Sequence, residues 1–178
     1  FFMKNSIFLF SILFLLLGSC DQQGVTCLCP GNGECIDNSC VCDPGYEGAT
    51  CEQEKTPTSM KIKTVTLNNF PSTDNGSSWD FTSGPDVYIV IEQKSGPTIY
   101  ESGKVDNASS GISFSPNRSM NSPTSRHSIV LYDFDSGSGD DFMGGIEFSP
   151  FTAGNGFPKV IDIASGGISI TMTVEYNF

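Results

Sequence analysis

Histidine is nearly missing from this chain of 178 residues: His127 stands alone, in the setting Ser125-Arg126-His127-Ser128. Hydrolases built on a Ser or Cys nucleophile need a base beside it, and no G-x-S-x-G elbow occurs anywhere in the chain. His127 is therefore read as a surface residue at the start of a strand, and the chain as a binding protein, not an enzyme. Basic residues are scarce as well, 9 against 20 acidic ones for a formal net charge of −11, which argues against nucleic acid as a partner. No apolar run reaches the roughly 20 residues that cross a bilayer, and no stretch sustains a helical period. The length suits one ordinary domain with a small appendage.

What is present begins with Lys4, an almost unbroken apolar run over residues 7–17 and the small pair Gly18-Ser19, the pattern of an export leader. Leu17-Gly18-Ser19-Cys20 resembles the lipobox of bacterial lipoproteins. That resemblance implies a leader over 1–20, acylation of Cys20, a polar tether over 21–26 and a mature chain anchored in the cell envelope at the outer membrane. Cysteine parity agrees with it. Setting Cys20 aside leaves six of the seven cysteines, an even number suited to disulfides in an oxidising compartment.

Those six are Cys27, Cys29, Cys35, Cys40, Cys42 and Cys51, separated by Gly, Pro, Asn and Asp. A segment this short cannot bury a sufficient core, so bridges must stabilise it. Zinc is disfavoured because the close pairs are C-x-C and no histidine is near. Spacing alone leaves the connectivity open. Cys40, Cys42, Gly45, Tyr46, Gly48 and Cys51 resemble the second half of an EGF-like domain, which is assigned to 27–52. The resemblance implies the pairs Cys27 with Cys35, Cys29 with Cys40, and Cys42 with Cys51. No acidic calcium-type signature precedes Cys27, so the module reads as a rigid spacer.

Residues 53–59 are polar, contain Pro57 and read as a linker. Beyond them short alternating runs recur at 62–70, 87–92, 98–101, 111–114, 128–132, 145–148, 160–164 and 168–176. About eight strands separated by Gly, Ser, Asn, Asp and Pro predict a two-sheet antiparallel sandwich over 60–178, and an all-β chain overall.

Carboxylates crowd two glycine- and serine-rich loops: Asp74, Asp80 and Asp86 in one, Asp133, Asp135, Asp140 and Asp141 in the other. Converging carboxylates repel by up to about 4 kcal/mol per pair at an effective dielectric near 20, so a compact cluster favours a cation. A solvated acidic turn is the competing reading. An EF-hand fails because its twelfth position would be Gly144. Residues 131–144 resemble the third calcium loop of the C2 domain, and Gly84-Pro85-Asp86-Val87-Tyr88 the end of its first. This resemblance implies an eight-stranded C2-like sandwich holding calcium through Asp80, Asp86, Asp133, Asp135 and Asp141, with Asp74 an alternative to Asp80 and the Phe134 carbonyl a further donor. It also implies a calcium-dependent phospholipid, glycan or protein ligand. Lys61, Lys63, Lys94 and Lys104 look scattered, which counts against a dedicated anionic-lipid face. The other reading is a structural or adhesive module in which calcium only stiffens the loops.

Overall fold

The computed structural model describes residues 27–29, 31–137 and 139–178. The leader, Cys20 and the tether lie outside the described residues. No helix occurs among the described residues; thirteen strands do.

In the cysteine-rich segment β1 (Gly33–Ile36) pairs antiparallel with β2 (Ser39–Cys42), and β3 (Tyr46–Glu47) with β4 (Gln53–Glu54). Disulfides join Cys27 to Cys35, Cys29 to Cys40 and Cys42 to Cys51, the pairs that the EGF-like resemblance implies. Cys51 is fully buried, while Leu28, Ile36 and Val41 stay exposed, as expected where bridges replace a core. Within the stretch read as a linker, Gln53–Glu54 is the strand paired with β3.

The rest is a sandwich of two antiparallel sheets. Alternation puts one face of each strand inward: β5 (Ser59–Asn69), β6 (Val87–Gln93), β10 (His127–Asp133) and β13 (Ile168–Asn177) bury nearly every second residue. One sheet has the order β11 (Asp141–Phe148), β10, β6, β7 (Thr98–Glu101); the other runs β12 (Val160–Ser165), β13, β5, β8 (Ile112–Phe114). The short β9 (Arg118–Met120) also pairs with β5, over Met60 to Ile62, while β8 pairs with Val65 to Leu67. The two therefore share one strand position, broken by Pro116 and by Asn117 at φ 48°, and the sandwich keeps the eight positions anticipated. Met60, Ile62, Leu67, Ile89, Ile91, Ile129, Leu131, Ile146, Ile170 and Met172 fill the space between the sheets.

Strand direction sorts the loops. The connections at 70–86, 102–111, 134–140 and 166–167 gather at the end where β5 and β10 finish. The segments 94–97, 121–126 and 149–159 gather at the opposite end, where the Phe151 amide donates to Pro123 and the Tyr176 hydroxyl to Pro150. The cysteine-rich module docks on that second end. Phe157 packs against Tyr46 at 5.3 Å, Phe151 at 5.7 Å, Tyr176 at 5.5 Å and Phe178 at 4.7 Å between ring centroids. Glu54 accepts the amides of Gly154 and Gly156 at 2.6 and 2.8 Å. Gly45, at φ +98°, lies so close that a Cβ there would stand 2.5 Å from the rings of Phe157 and Phe178.

Candidate metal centre at the acidic loops

The period of β10 decides the site. Ile129, Leu131 and Asp133 share the core-facing side, so the strand ends by carrying a carboxylate into line with buried aliphatic side chains. Asp133 has no solvent exposure. Its Oδ1 accepts the Asp86 amide at 2.5 Å, and its Oδ2 has no hydrogen-bond partner. A buried anion so placed costs free energy unless something neutralises it. Burial pushes its pKa above the usual carboxylate range, and the charges of Asp80, Asp135 and Asp86 add to the rise while the Asp86 amide opposes it.

Asp86 arrives on the neighbouring chain segment, just before β6 and next to the Val87 that pairs with Asp133. Its carbonyl accepts the Phe134 amide at 3.0 Å, tying the two acidic loops together. Its Oδ2 receives the Lys104 ammonium at 2.5 Å and its Oδ1 the Asn107 amide at 3.0 Å. The Lys104 contact, then the Asn107 amide, hold its pKa below the ordinary value. Lys104 also reaches Asp106 at 2.6 Å and lies 4.9 Å above the centre of the Phe134 ring. Asp106 first and Asp86 second push the lysine above its ordinary range.

Asp135 donates its amide to Asp140 Oδ1 at 3.2 Å, and Asp140 Oδ2 takes the Tyr88 hydroxyl at 2.7 Å. Burial and that carboxylate push the Tyr88 phenol up. Tyr88 stacks on Tyr132 at 5.4 Å. Asp80 receives the Ser83 hydroxyl at 3.0 Å, and its charge is felt at Asp133. Asp74 instead closes its own turn with Ser77 and Asn75. Asp141 opens β11 opposite Asp133 in the ladder, with its side chain exposed. A one-residue bulge at Met143 lies between the pairs Leu131 with Gly144 and Tyr132 with Phe142. An open cleft of about 340 Å³ adjoins the cluster, lined by Tyr88, Glu101, Ser102, Lys104, Phe134 and Asp140.

The charges of Asp80, Asp86 and Asp135 thus reach Asp133, although among the described residues no three of these carboxylates converge within ligand range of one another as the side chains stand, and the structure adds a loop that the sequence reading passed over. Lys104, read as one of four scattered lysines, sits at the site together with Asp106 and Asn107. Their signal was topological: a Gly/Ser-rich connection ending at the same side of the sandwich as the two acidic loops. His127 also differs from expectation. It is buried beside Phe148, its Nδ1 is 3.0 Å from the Ser125 carbonyl oxygen, and burial lowers its pKa. Among the cysteines, the sulfurs of Cys27, Cys29 and Cys40 approach one another, yet each is bound in a disulfide and offers no thiolate.

These features define a two-module all-β protein, a disulfide-stapled unit docked on an antiparallel sandwich. Comparison with known proteins sharpens the first module: residues 25–54 match the Teneurin-like EGF domain, so this unit is EGF-like. Over 47 residues the chain is 46% identical to the "Substrate-adhesion molecule" of Dictyostelium discoideum, a stretch making up 26% of this chain and 4% of that protein. The chain thus spans a small fraction of the length of this curated relative. Among solved structures, "Structure of a C2 domain" is 13% identical with a TM-score of 0.49, over 67% of this chain and 98% of that one. A C2-type domain of plant Extended Synaptotagmin 1 is 12% identical with a TM-score of 0.41, over 69% and 97% of the two chains.

Proposed function

We propose that the chain is a non-enzymatic binding module that takes up calcium at the acidic end of its sandwich and engages a partner through it. The buried Asp133 carboxylate, with an unpartnered Oδ2 among neighbouring aspartates, carries this reading. The donor set fits: carboxylates on flexible loops suit a hard cation that takes 6–8 oxygens, and no imidazole or free thiolate is present among the described residues of these loops. Asp80, Asp86, Asp133 and Asp135 would hold the ion, with Asp141 joining from the start of β11. Bound calcium would neutralise the cluster and offer unfilled positions to phosphate or carboxylate oxygens of a membrane, glycan or protein ligand. Phe81, exposed on the first acidic loop, and Phe142, exposed at the start of β11, add apolar contact surface at this end of the sandwich.

Calorimetric titration with calcium tests this directly. Saturable binding is expected, lost in Asp135→Asn, with affinity in the ~10⁻⁴–10⁻³ M range of extracellular modules. A flat titration of the unmutated chain would overturn the reading.

A structural or adhesive role is the second reading, supported by the docked EGF-like module and by the chain's likeness over 47 residues to a substrate-adhesion molecule. In that case calcium raises the melting temperature but leaves binding to vesicles, glycans and surfaces unchanged. Export and lipid anchoring through Cys20 belong to the proposal too. The three disulfides use every cysteine after Cys20, leaving that one for acylation, and mass spectrometry of the mature N-terminus tests it.

A further inference from the structure

We infer that Lys104 is a tethered counter-cation of the acidic end, and that it sets the affinity of the site by yielding Asp86 to an incoming divalent ion while keeping Asp106. The inference rests on the calcium reading above and concerns how that site is controlled.

Both oxygens of Asp86 are engaged: Oδ2 with the Lys104 ammonium, Oδ1 with the Asn107 amide. An ion coordinated by Asp86 would meet the ammonium at contact range, where like charges repel strongly in a partly desolvated site. Lys104 must therefore withdraw from Asp86. The structure gives it somewhere to stay, because Asp106 Oδ1 already accepts the same ammonium at 2.6 Å and is itself exposed. The Phe134 ring beneath it supplies a third attraction that does not depend on Asp86. Exchange thus removes one ion pair of two. The Asp133 Oδ2 that no protein group satisfies shows that the tethered ammonium does not complete the site.

Charge then dictates selectivity. Because the ammonium stays beside the site on Asp106, a sodium or potassium ion taking its place at Asp86 adds one unit of charge and a divalent ion two, so only the divalent ion draws double attraction from the unneutralised aspartates to set against the lysine. Lys104 accordingly acts as a filter against monovalent ions and as a brake on divalent ones.

The test is calcium calorimetry on the chain carrying Lys104→Met, which keeps the stem and removes the charge, beside Lys104→Arg, Asp135→Asn and the unmutated protein. Lys104→Met should bind calcium on the order of tenfold more tightly, and Lys104→Arg close to the unmutated value. Without calcium Lys104→Met should melt at a lower temperature, and saturating calcium should restore it, which separates release of the brake from a folding defect. If Lys104→Met binds no more tightly, while the unmutated protein binds and Asp135→Asn does not, the role of Lys104 is overturned and the calcium site stands. If neither the unmutated protein nor Lys104→Met binds, the site falls and this inference with it.

Discussion

At the end of the sandwich where β5 begins and β13 finishes, Tyr46, Phe151, Phe157, Tyr176 and Phe178 pack ring on ring, and the Glu54 carboxylate meets two backbone amides. At the other end the loops are held through charges: Asp86 with Lys104, Asp140 with Tyr88, and Asp133 with one oxygen unanswered. The first end is complete as folded. The second is stable only to the extent that one lysine offsets several carboxylates. One sandwich thus separates a permanent joint from a conditional site, and stability measurements should respond oppositely at the two.

The largest effect is expected at the joint. Phe157→Ala removes the ring common to all the aromatic pairs there and should cost about 2–4 kcal/mol, read by thermal denaturation. It should also open the 55–58 segment to limited proteolysis, since the EGF-like module loses its seat. Unchanged protection would mean that the Glu54 contacts alone hold the modules together. At the acidic end the sign reverses. Asp133→Asn, without calcium at neutral pH, should stabilise the fold by about 1 kcal/mol, because it removes a buried charge repelled by its neighbours. The pH dependence follows the same logic: the folded pKa of Asp133 is raised, so its favourable contribution is present below the unfolded carboxylate value of 3.8 and is lost as pH rises through the folded value. Calcium should cancel the advantage of the substitution.

The smallest effect belongs to His127. Its pKa is lowered by burial, so the unfolded chain takes up the proton first as pH falls below about 6.5, and stability declines from there towards the folded value. His127→Gln should flatten that part of a melting-temperature profile by a few tenths to about 1 kcal/mol. A profile unaltered between pH 7 and 5 would show that the imidazole is not shielded from solvent.

Much of this organisation was legible in the residues. Period-2 alternation marked β5, β6, β10 and β13 because these strands have one buried face. The cysteine spacing marked the first module, since a bridge framework constrains its sequence more than a core would. The misses have equally physical causes. β9 is three residues long and follows a left-handed Asn117, so no period could reveal it. β11 begins at Asp141, not at 145, because Gly144 looks like a strand breaker yet serves the bulge; at φ 134° a Cβ there would strike Ile168 at 2.8 Å. His127 was placed outside because polar residues usually are, whereas alternation along β10 puts it on the side of Ile129 and Leu131. Lys104 and Asp106 could not be found from spacing, since only the sandwich topology carries residues 102–111 to the aspartates.

The arrangement of the loops has a bearing on reach. The ten residues of β13 span roughly 30 Å, and the acidic tip and the EGF-like module occupy opposite extremes of that span. Anything that held the chain by its EGF-like module would hold it by the far pole, with the aspartates directed outward. A protein held in this way does not turn its charged tip back to the surface that carries it. Under the proposed calcium reading, the tip would meet a facing surface across a gap and draw its ions from the surrounding medium.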